Sequence, residues 1–350
     1  MSLSVFSCAQ TPKRDWGSDQ FREGRFHNAD ATATAGGNMG RVLYRFLFEK
    51  RVDPVPQAPI PVQPLDRTKL DEQSGDLAVR LGHSTVLLRL SGQYFLTDPV
   101  FGERASPVQW AGPKRFHDSP IPLEGLPTLA GVILSHDHYD HLDKATALAL
   151  AERGTPFYAP LGVGQRLVRW GVDPAQVTEL DWWQSVQVGS VKLVATPAQH
   201  FSGRSLSDSN RTLWASWALL GEESRVFFSG DSGYFDGFAE IGRRFGPFDL
   251  TLVETGAYDE DWPDIHMSPE QSVQAHRDLN GRVMIPIHNS TFDLALHAWY
   301  EPMERALAEA ARDQQVLSLP MIGEPLTLGS APQISHWWRA PEGEWALSQP

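Results

Sequence analysis

Ser135-His136-Asp137-His138-Tyr139-Asp140-His141-Leu142 directly follows the apolar run Val132-Ile133-Leu134. The run reads as a buried strand. Three imidazoles and the Asp140 carboxylate then crowd into the six residues His136 to His141. Neutral imidazole nitrogen and carboxylate oxygen suit zinc and other divalent transition ions. His136 and His138, two apart on an extended segment, can point the same way and share one ion. Asp140 and His141 follow where the chain turns, with a helix expected over Lys144–Arg153, and that turn can aim them at a second ion. The pattern H-x-H-x-D-H is far more specific than a lone histidine pair. Its bland alternative is a solvated His-rich turn.

Bulk properties narrow the setting. A chain of 350 residues is one large domain or two small ones. Its 41% hydrophobic and 10% aromatic content is ample for a packed core. No stretch approaches the roughly 20 apolar residues that a membrane-spanning helix needs. A net charge of -13 argues against a nucleic-acid duplex as partner. Cys8 is the single cysteine, so an internal disulfide framework and a thiolate metal site are excluded. Val5-Phe6-Ser7-Cys8 has the texture of the end of a lipoprotein signal. Met1 to Ser7 supply neither a basic region nor an apolar core, so an ordinary irregular start is expected, with a trimmed signal as the alternative. The expected location is cytoplasmic or periplasmic and soluble, with peripheral membrane association left open.

Met1 to Asp30 reads as irregular, and Gly36-Gly37-Asn38-Met39-Gly40 as a breaker. In Arg41 to Arg51 a helix would place Arg41, Arg45 and Glu49 on one side, with Val42 to Phe48 covering the rest. The preferred reading is a helix docked on its own domain. The functional alternative is a helix that faces a partner or meets lipid, through Leu43 to Phe48, with its basic residues at the headgroup level. Asp53 to Pro64 is dense in proline, an extended connector. These features divide the chain into an N-terminal extension, residues 1–70, and a hydrolase domain, residues 71–350. Gly102 to Pro122 reads as a long loop rich in Pro and Arg/Lys, either a functional lid or a solvated surface loop.

From Leu77 onward, strand signals recur: Ala78–Gly82, Thr85–Leu90, Tyr94–Pro99, Pro156–Ala159, Val177–Leu180, Val191–Thr196, Arg225–Ser229, Asp249–Val253 and Gly281–Ile287. A helix is expected from about Leu161 to Trp170. His136, His200, Asp231 and His288 each sit just past an apolar strand. Active-site groups of layered α/β folds gather at such ends. Alone, His200 or His288 would more often be a structural histidine. Together they fit a dinuclear site: His136, His138 and His200 on one metal, Asp140, His141 and His288 on the other, and Asp231 bridging. Structural zinc sites are normally closed and Cys-rich. A carboxylate-bridged, His-rich pair with open positions is instead a hydrolytic device. Asp98, in Thr97-Asp98-Pro99, could fix the tautomer of a ligand imidazole or simply make an Asp-Pro turn. His83, in Gly82-His83-Ser84, is a weaker candidate for the same role.

This constellation resembles the metallo-β-lactamase superfamily, which implies an α/β fold, the four-layer αββα sandwich with a dinuclear site at one edge. Further stretches resemble the N-acylphosphatidylethanolamine-hydrolysing phospholipases D. They include Leu96-Thr97-Asp98-Pro99, Arg104-Ala105-Ser106-Pro107, Gly112-Pro113-Lys114-Arg115-Phe116, Glu179-Leu180-Asp181-Trp182-Trp183, Arg244 to Asp249, Gly256-Ala257-Tyr258 and Arg25-Phe26-His27-Asn28. The resemblance runs from about Phe21 to about Leu307. It implies two divalent ions, zinc first and manganese or iron as alternatives, a phosphodiester substrate and attack at phosphorus. It also implies that His266 contacts the phosphate, with Tyr139 and Glu254 as further substrate-binding candidates and Asp140, Asp231 and His266 as the catalytic set.

Three positions depart from the pattern. Glu254 stands where an apolar or proline residue is expected, Ile265 where the animal enzyme has an amide, and Asn289 where an aromatic follows the last ligand. All three are expected at the pocket, where an inward Glu254 would disfavour a polyanionic substrate. The rival readings are a lactonase or other small-molecule metallohydrolase, and a metal-stabilised binding protein with little activity.

Overall fold

The computed structural model describes residues 16–30, 39–205 and 207–339. The Val5–Cys8 stretch and residues 36–38 of the Gly36–Gly40 breaker lie outside them, and Met39 and Gly40 do not break the chain but open the helix Met39–Phe48. Two sheets face each other. The first has seven strands in the order 325–327, 77–82, 85–90, 93–97, 129–133, 157–160, 177–180. The second has six, in the order 281–287, 248–254, 225–228, 216–220, 191–196, 185–188. Thr85–Leu90, Val177–Leu180, Val191–Thr196 and Gly281–Ile287 form with the bounds expected from sequence.

Alternation along the strands creates the layers, because successive side chains point to opposite faces. Val226 and Phe228 face the first sheet and pack with Val86, Leu88, Phe95 and Ile133. Phe227 between them faces outward onto Phe238 and Ile241 of the helix Gly237–Phe245. On the first sheet, Val79, Leu81, Leu87 and Leu96 face outward onto Ala147 and Leu150 of the helix Lys144–Glu152 and Val163 and Leu167 of the helix Val163–Trp170. Helix, sheet, sheet and helix therefore stack as a four-layer αββα sandwich.

The outer layer of the second sheet is completed by the helices Pro269–Asp278 and Glu301–Arg312. The sequence reading names neither of these, nor Gly237–Phe245. Ser268 caps the first of them through a reciprocal box with Gln271, and Pro269 opens it. That local signature was available in the sequence.

A further expectation is corrected. Met1 to Asp30 is not wholly irregular: Phe21–Arg22 pairs with Arg25–Phe26, and Phe26 is fully buried in the core between the sheets. The 102–122 loop is exposed in its middle, with Trp110 at 82%, and anchored at its C-terminal end. Phe116 N donates to Thr291 O at 2.8 Å, Arg115 is half-buried, and His117 is buried with Nε2 3.1 Å from Thr291 Oγ1.

The helix Met39–Phe48 lies against the body through its basic side. Arg45 reaches Asp259 at 2.5 Å and Asp261 at 2.7 Å, and Arg41 reaches Glu260 at 2.6 Å. Tyr44 and Phe48 remain 63% and 71% exposed, with their rings 5.2 Å apart. The side chains of Leu43 and Leu47 are outside the described set. The Pro-rich segment is packed along the C-terminal part: Gln63 N donates to Ile322 O at 2.8 Å, and Ile60 is buried with Trp337 and Trp338. Among the described residues, no helix is long and apolar enough to cross a membrane.

Candidate metal centre

Strand ends from both sheets converge at one edge of the sandwich. His136 follows Leu129–Ile133, His200 follows Val191–Thr196, Asp231 follows Arg225–Phe228, and His288 follows Gly281–Ile287. Trp217 Nε1 donates to Leu134 O at 2.9 Å and Ala215 N donates to Ser135 O at 2.9 Å, so the second sheet holds the start of the histidine loop. Gly230 sets the opposite loop. Its φ is +56°, and a Cβ there would stand 2.4 Å from Ser135 Cβ. Only glycine gives both the left-handed turn and the close approach that place Asp231 beside His136.

Among the described residues four overlapping donor groups could each hold an ion: Asp231, Glu254, His266 and His288 form one, Asp98, His136 and His141 another, and the remaining two share no residue with each other. Of these two, His136, His138, His200 and Asp231 form the first, and His83, Asp140, His141 and His288 the second. In the first, His136 Nε2 and His138 Nδ1 are 2.8 Å apart, and His138 Nδ1 and His200 Nε2 are 3.3 Å apart. In the second, Asp140 Oδ2 lies 3.1 Å from His83 Nε2, 3.4 Å from His141 Nε2 and 3.2 Å from His288 Nε2. Asp231 Oδ2 stands between the groups. It is 3.8 and 3.7 Å from His136 and His200 Nε2, and 3.1 Å from both His141 and His288 Nε2.

All seven residues expected as ligands thus come together. His83 joins them, although the sequence marks it only as a weaker candidate than Asp98 for orienting a ligand imidazole. It is buried with φ +52°, and His288 is held at φ +61°. Left-handed backbone in non-glycine residues costs energy and concentrates at functional sites.

The nitrogens that face the centre are freed by partners on the far side of the rings. His141 Nδ1 donates to Asp98 Oδ2 at 2.6 Å, and Asp98 Oδ1 accepts Ser135 N–H at 2.7 Å. His200 Nδ1 donates to Ile265 O at 2.9 Å. Such contacts fix the tautomer and leave Nε2 as the donor atom.

A metal fits what remains. His141 Nε2 and Asp231 Oδ1 are buried without a hydrogen-bond partner. Burial holds His136 and His200 well below the usual imidazole range, so they are neutral donors. Burial would raise the Asp231 carboxyl, but His141 and His288 outweigh it and hold Asp231 well below the usual carboxylate range. Burial likewise opposes charge on His288, but Asp231 and Asp140 push it up to about 10.

The expected substrate contacts fall differently. His266 borders the centre, its ring 5.1 Å from that of His200 and 5.2 Å from that of His288. Glu254 does not face an opening. It is fully buried, with Oε2 2.7 Å from His266 Nδ1 and Oε1 accepting Met267 N–H at 2.8 Å. Burial and then the Asp231 charge push its carboxyl up, against His288 and the N–H groups of Met267 and Ser232. Tyr139 gives its hydroxyl to Arg204 O at 3.0 Å, and its ring lies 3.7 Å under the Arg204 guanidinium. That guanidinium in turn donates to the carbonyls of Asp137 at 2.8 Å and Leu142 at 2.7 Å, bracing the histidine loop. Ile265 and Asn289 are buried, and Asn289 accepts from Arg80 through both its carbonyls.

Comparison with known proteins agrees with this architecture. Residues 93–289 match the family model described as the beta-lactamase superfamily domain. An uncharacterized protein of Mycobacterium tuberculosis is 44% identical over 92% of this chain and 88% of its own. N-acyl-phosphatidylethanolamine-hydrolyzing phospholipase D 1 of Caenorhabditis elegans is 35% identical over 87% of this chain and 92% of its own. Among solved structures, Igni18, a metallo hydrolase from the archaeon Ignicoccus hospitalis, superposes with a TM-score of 0.57 at 20% identity, covering 72% of this chain and 98% of that one. The chain is a metal-dependent hydrolase that belongs to the metallo-β-lactamase superfamily, as a relative of the N-acylphosphatidylethanolamine-hydrolysing phospholipases D.

Proposed function

We propose that the protein is a dinuclear phosphodiesterase acting on phospholipids of the N-acylphosphatidylethanolamine type. One observation carries the reading: a single oxygen, Asp231 Oδ2, stands within 3.1 to 3.8 Å of imidazole nitrogens from both donor groups. His136, His138 and His200 would hold one ion, Asp140, His141 and His288 the other, and Asp231 both. The donor set of nitrogen and oxygen suits zinc, with manganese or iron as alternatives. Such a pair, when bound, supplies a low-pKa water and a clamp for the oxygens of an in-line displacement. The chain's own residues orient and exclude. Asp98 and Ile265 O lock the His141 and His200 rings, His83 braces Asp140, and His266 would meet a phosphoryl oxygen. The substrate class rests on the activity for which the worm relative and a yeast protein 32% identical over 73% of this chain are named.

The test is product analysis with the zinc-loaded chain. An N-acylated phosphatidylethanolamine should yield phosphatidic acid and an N-acylethanolamine, and a lactone should be left intact. Lactone opening without phosphodiester cleavage would replace this reading with the lactonase.

Asp98→Asn should weaken metal retention about 10- to 100-fold, because outer partners of ligand imidazoles carry effects of that size. Dialysis against a graded chelator series reads it, and unchanged retention would count against the tautomer lock.

Zinc uptake should release protons. His288, pushed up to about 10, is protonated at pH 7 in the metal-free chain and must lose its proton to ligate. Affinity therefore rises with pH below that value. Calorimetric titration in two buffers of different ionisation heat should give different apparent enthalpies, and equal ones would contradict the assignment.

The exposed Tyr44 and Phe48 rings support peripheral contact with lipid, with Arg41 and Arg45 turned to the body rather than to headgroups. Tyr44→Glu with Phe48→Glu should abolish flotation with vesicles, and flotation at the wild-type level would rule this contact out.

A further inference from the structure

Glu254 is a fully buried carboxylate at the end of the strand Phe248–Glu254. Burying a carboxylate is costly unless donors satisfy it, and here the surroundings are built to do so. Oε1 accepts Met267 N–H at 2.8 Å, and Oε2 lies 2.7 Å from His266 Nδ1. The backbone of the residue is fixed as well. Glu254 N donates to Ser229 Oγ at 2.9 Å, and Glu254 O accepts the Ser272 hydroxyl at 2.6 Å. Ser272 belongs to the helix Pro269–Asp278, whose N-cap Ser268 lies two residues after His266. The strand end, the helix start and the segment between them are thus tied to one residue, through its backbone and its side chain.

The consequence is the pose of His266. Its ring stands at 69° to that of His200 and is tilted 32° to that of His288. Its side chain keeps 12% exposure, while Glu254 has none. With the Nδ1 edge committed to the buried carboxylate, the opposite edge, which bears Nε2, is the one left to face the opening.

We propose that Glu254 is a positioning residue that holds the His266 imidazole in its substrate-contacting pose, an inference resting on the phosphodiesterase reading above. Glu254 itself touches no substrate. An imidazole free to rotate would meet the reacting phosphoryl group in only a fraction of its poses, and a fixed one has that ordering already made. Asp98 does the same for His141, one layer away.

The test uses the full-length, zinc-loaded chain with bis(p-nitrophenyl) phosphate and the variants Glu254→Ala, Glu254→Gln, His266→Ala and the Glu254→Ala/His266→Ala double. Glu254→Ala should lower turnover about 10- to 100-fold, mostly in kcat, with both zinc ions retained. The double variant should be no slower than His266→Ala alone, because residues acting through one another are non-additive. Glu254→Gln keeps the shape but can accept only one of the two N–H groups, so it should fall between wild type and Glu254→Ala. It also carries the cycle if the alanine variant fails to fold. A full Glu254 loss in the His266→Ala background, or a loss accounted for by missing zinc, would overturn the proposal.

A second readout needs no turnover. In ¹⁵N-histidine-labelled protein, His266 Nδ1–H should give a slowly exchanging downfield proton, absent from both His266→Ala and Glu254→Ala. Its absence in wild type, or its persistence in Glu254→Ala, would also overturn the proposal. If wild type cleaves no phosphodiester, this readout still decides the positioning, so the two failures are told apart.

Discussion

An Asp231→Asn protein is expected to lose hydrolysis by about 10³-fold or more and to hold fewer than two ions per chain. The change is nearly isosteric, so the Gly230 turn and the loop spacing survive. What is lost is the charge at the shared oxygen. Oδ2 lies 3.1 Å from His141 and His288 Nε2 and under 4 Å from His136 and His200 Nε2. An amide in its place offers one neutral oxygen, or turns an NH₂ toward donor nitrogens that have no lone pair to spare for it. Metal analysis beside turnover reads both effects. Wild-type turnover in a variant loaded with two ions would remove Asp231 from the centre of the account.

Trp217→Ala is expected to cost about 3–5 kcal/mol of stability, the range for a large aromatic removed from a packed core. Trp217 is fully buried between the sheets, and its indole N–H caps Leu134 O just before the histidine loop. The substitution therefore opens a cavity and leaves a buried carbonyl unpaired. It should also loosen the loop that carries four of the expected ligands, so metal retention should fall with stability. Denaturant titration with and without zinc separates the two effects. A stability loss below about 1 kcal/mol would show that the sheets are held together elsewhere.

Legibility in the sequence followed the range of the forces involved. Thr85–Leu90 and Gly281–Ile287 are built around the apolar runs Val86-Leu87-Leu88 and Val283-Met284-Ile285, bounded by turn residues, and sequence alone delimits them. The histidine loop is legible because its ligands are local. His200, Asp231 and His288 are legible because each sits just past such a run. Ser216–Leu220 is harder to see, since Trp-Ala-Leu-Leu suits a buried helix as well as a strand and pairing with two neighbours decides it. The helices over the second sheet owe their inner faces to that sheet rather than to a strong pattern of their own. Glu254 shows the deepest limit. Its presence is visible in the sequence, but only the meeting of Phe248–Glu254 with the Met267 backbone turns its carboxylate toward His266 rather than toward a pocket. Tyr139 is similar, because the partner of its hydroxyl lies on a loop 65 residues away.

The most direct measurement is turnover of bis(p-nitrophenyl) phosphate as zinc is titrated into metal-free protein. Activity should be absent without metal and should reach its maximum at two ions per chain. Full activity in the metal-free chain, or none at two ions per chain, would contradict a dinuclear phosphodiesterase.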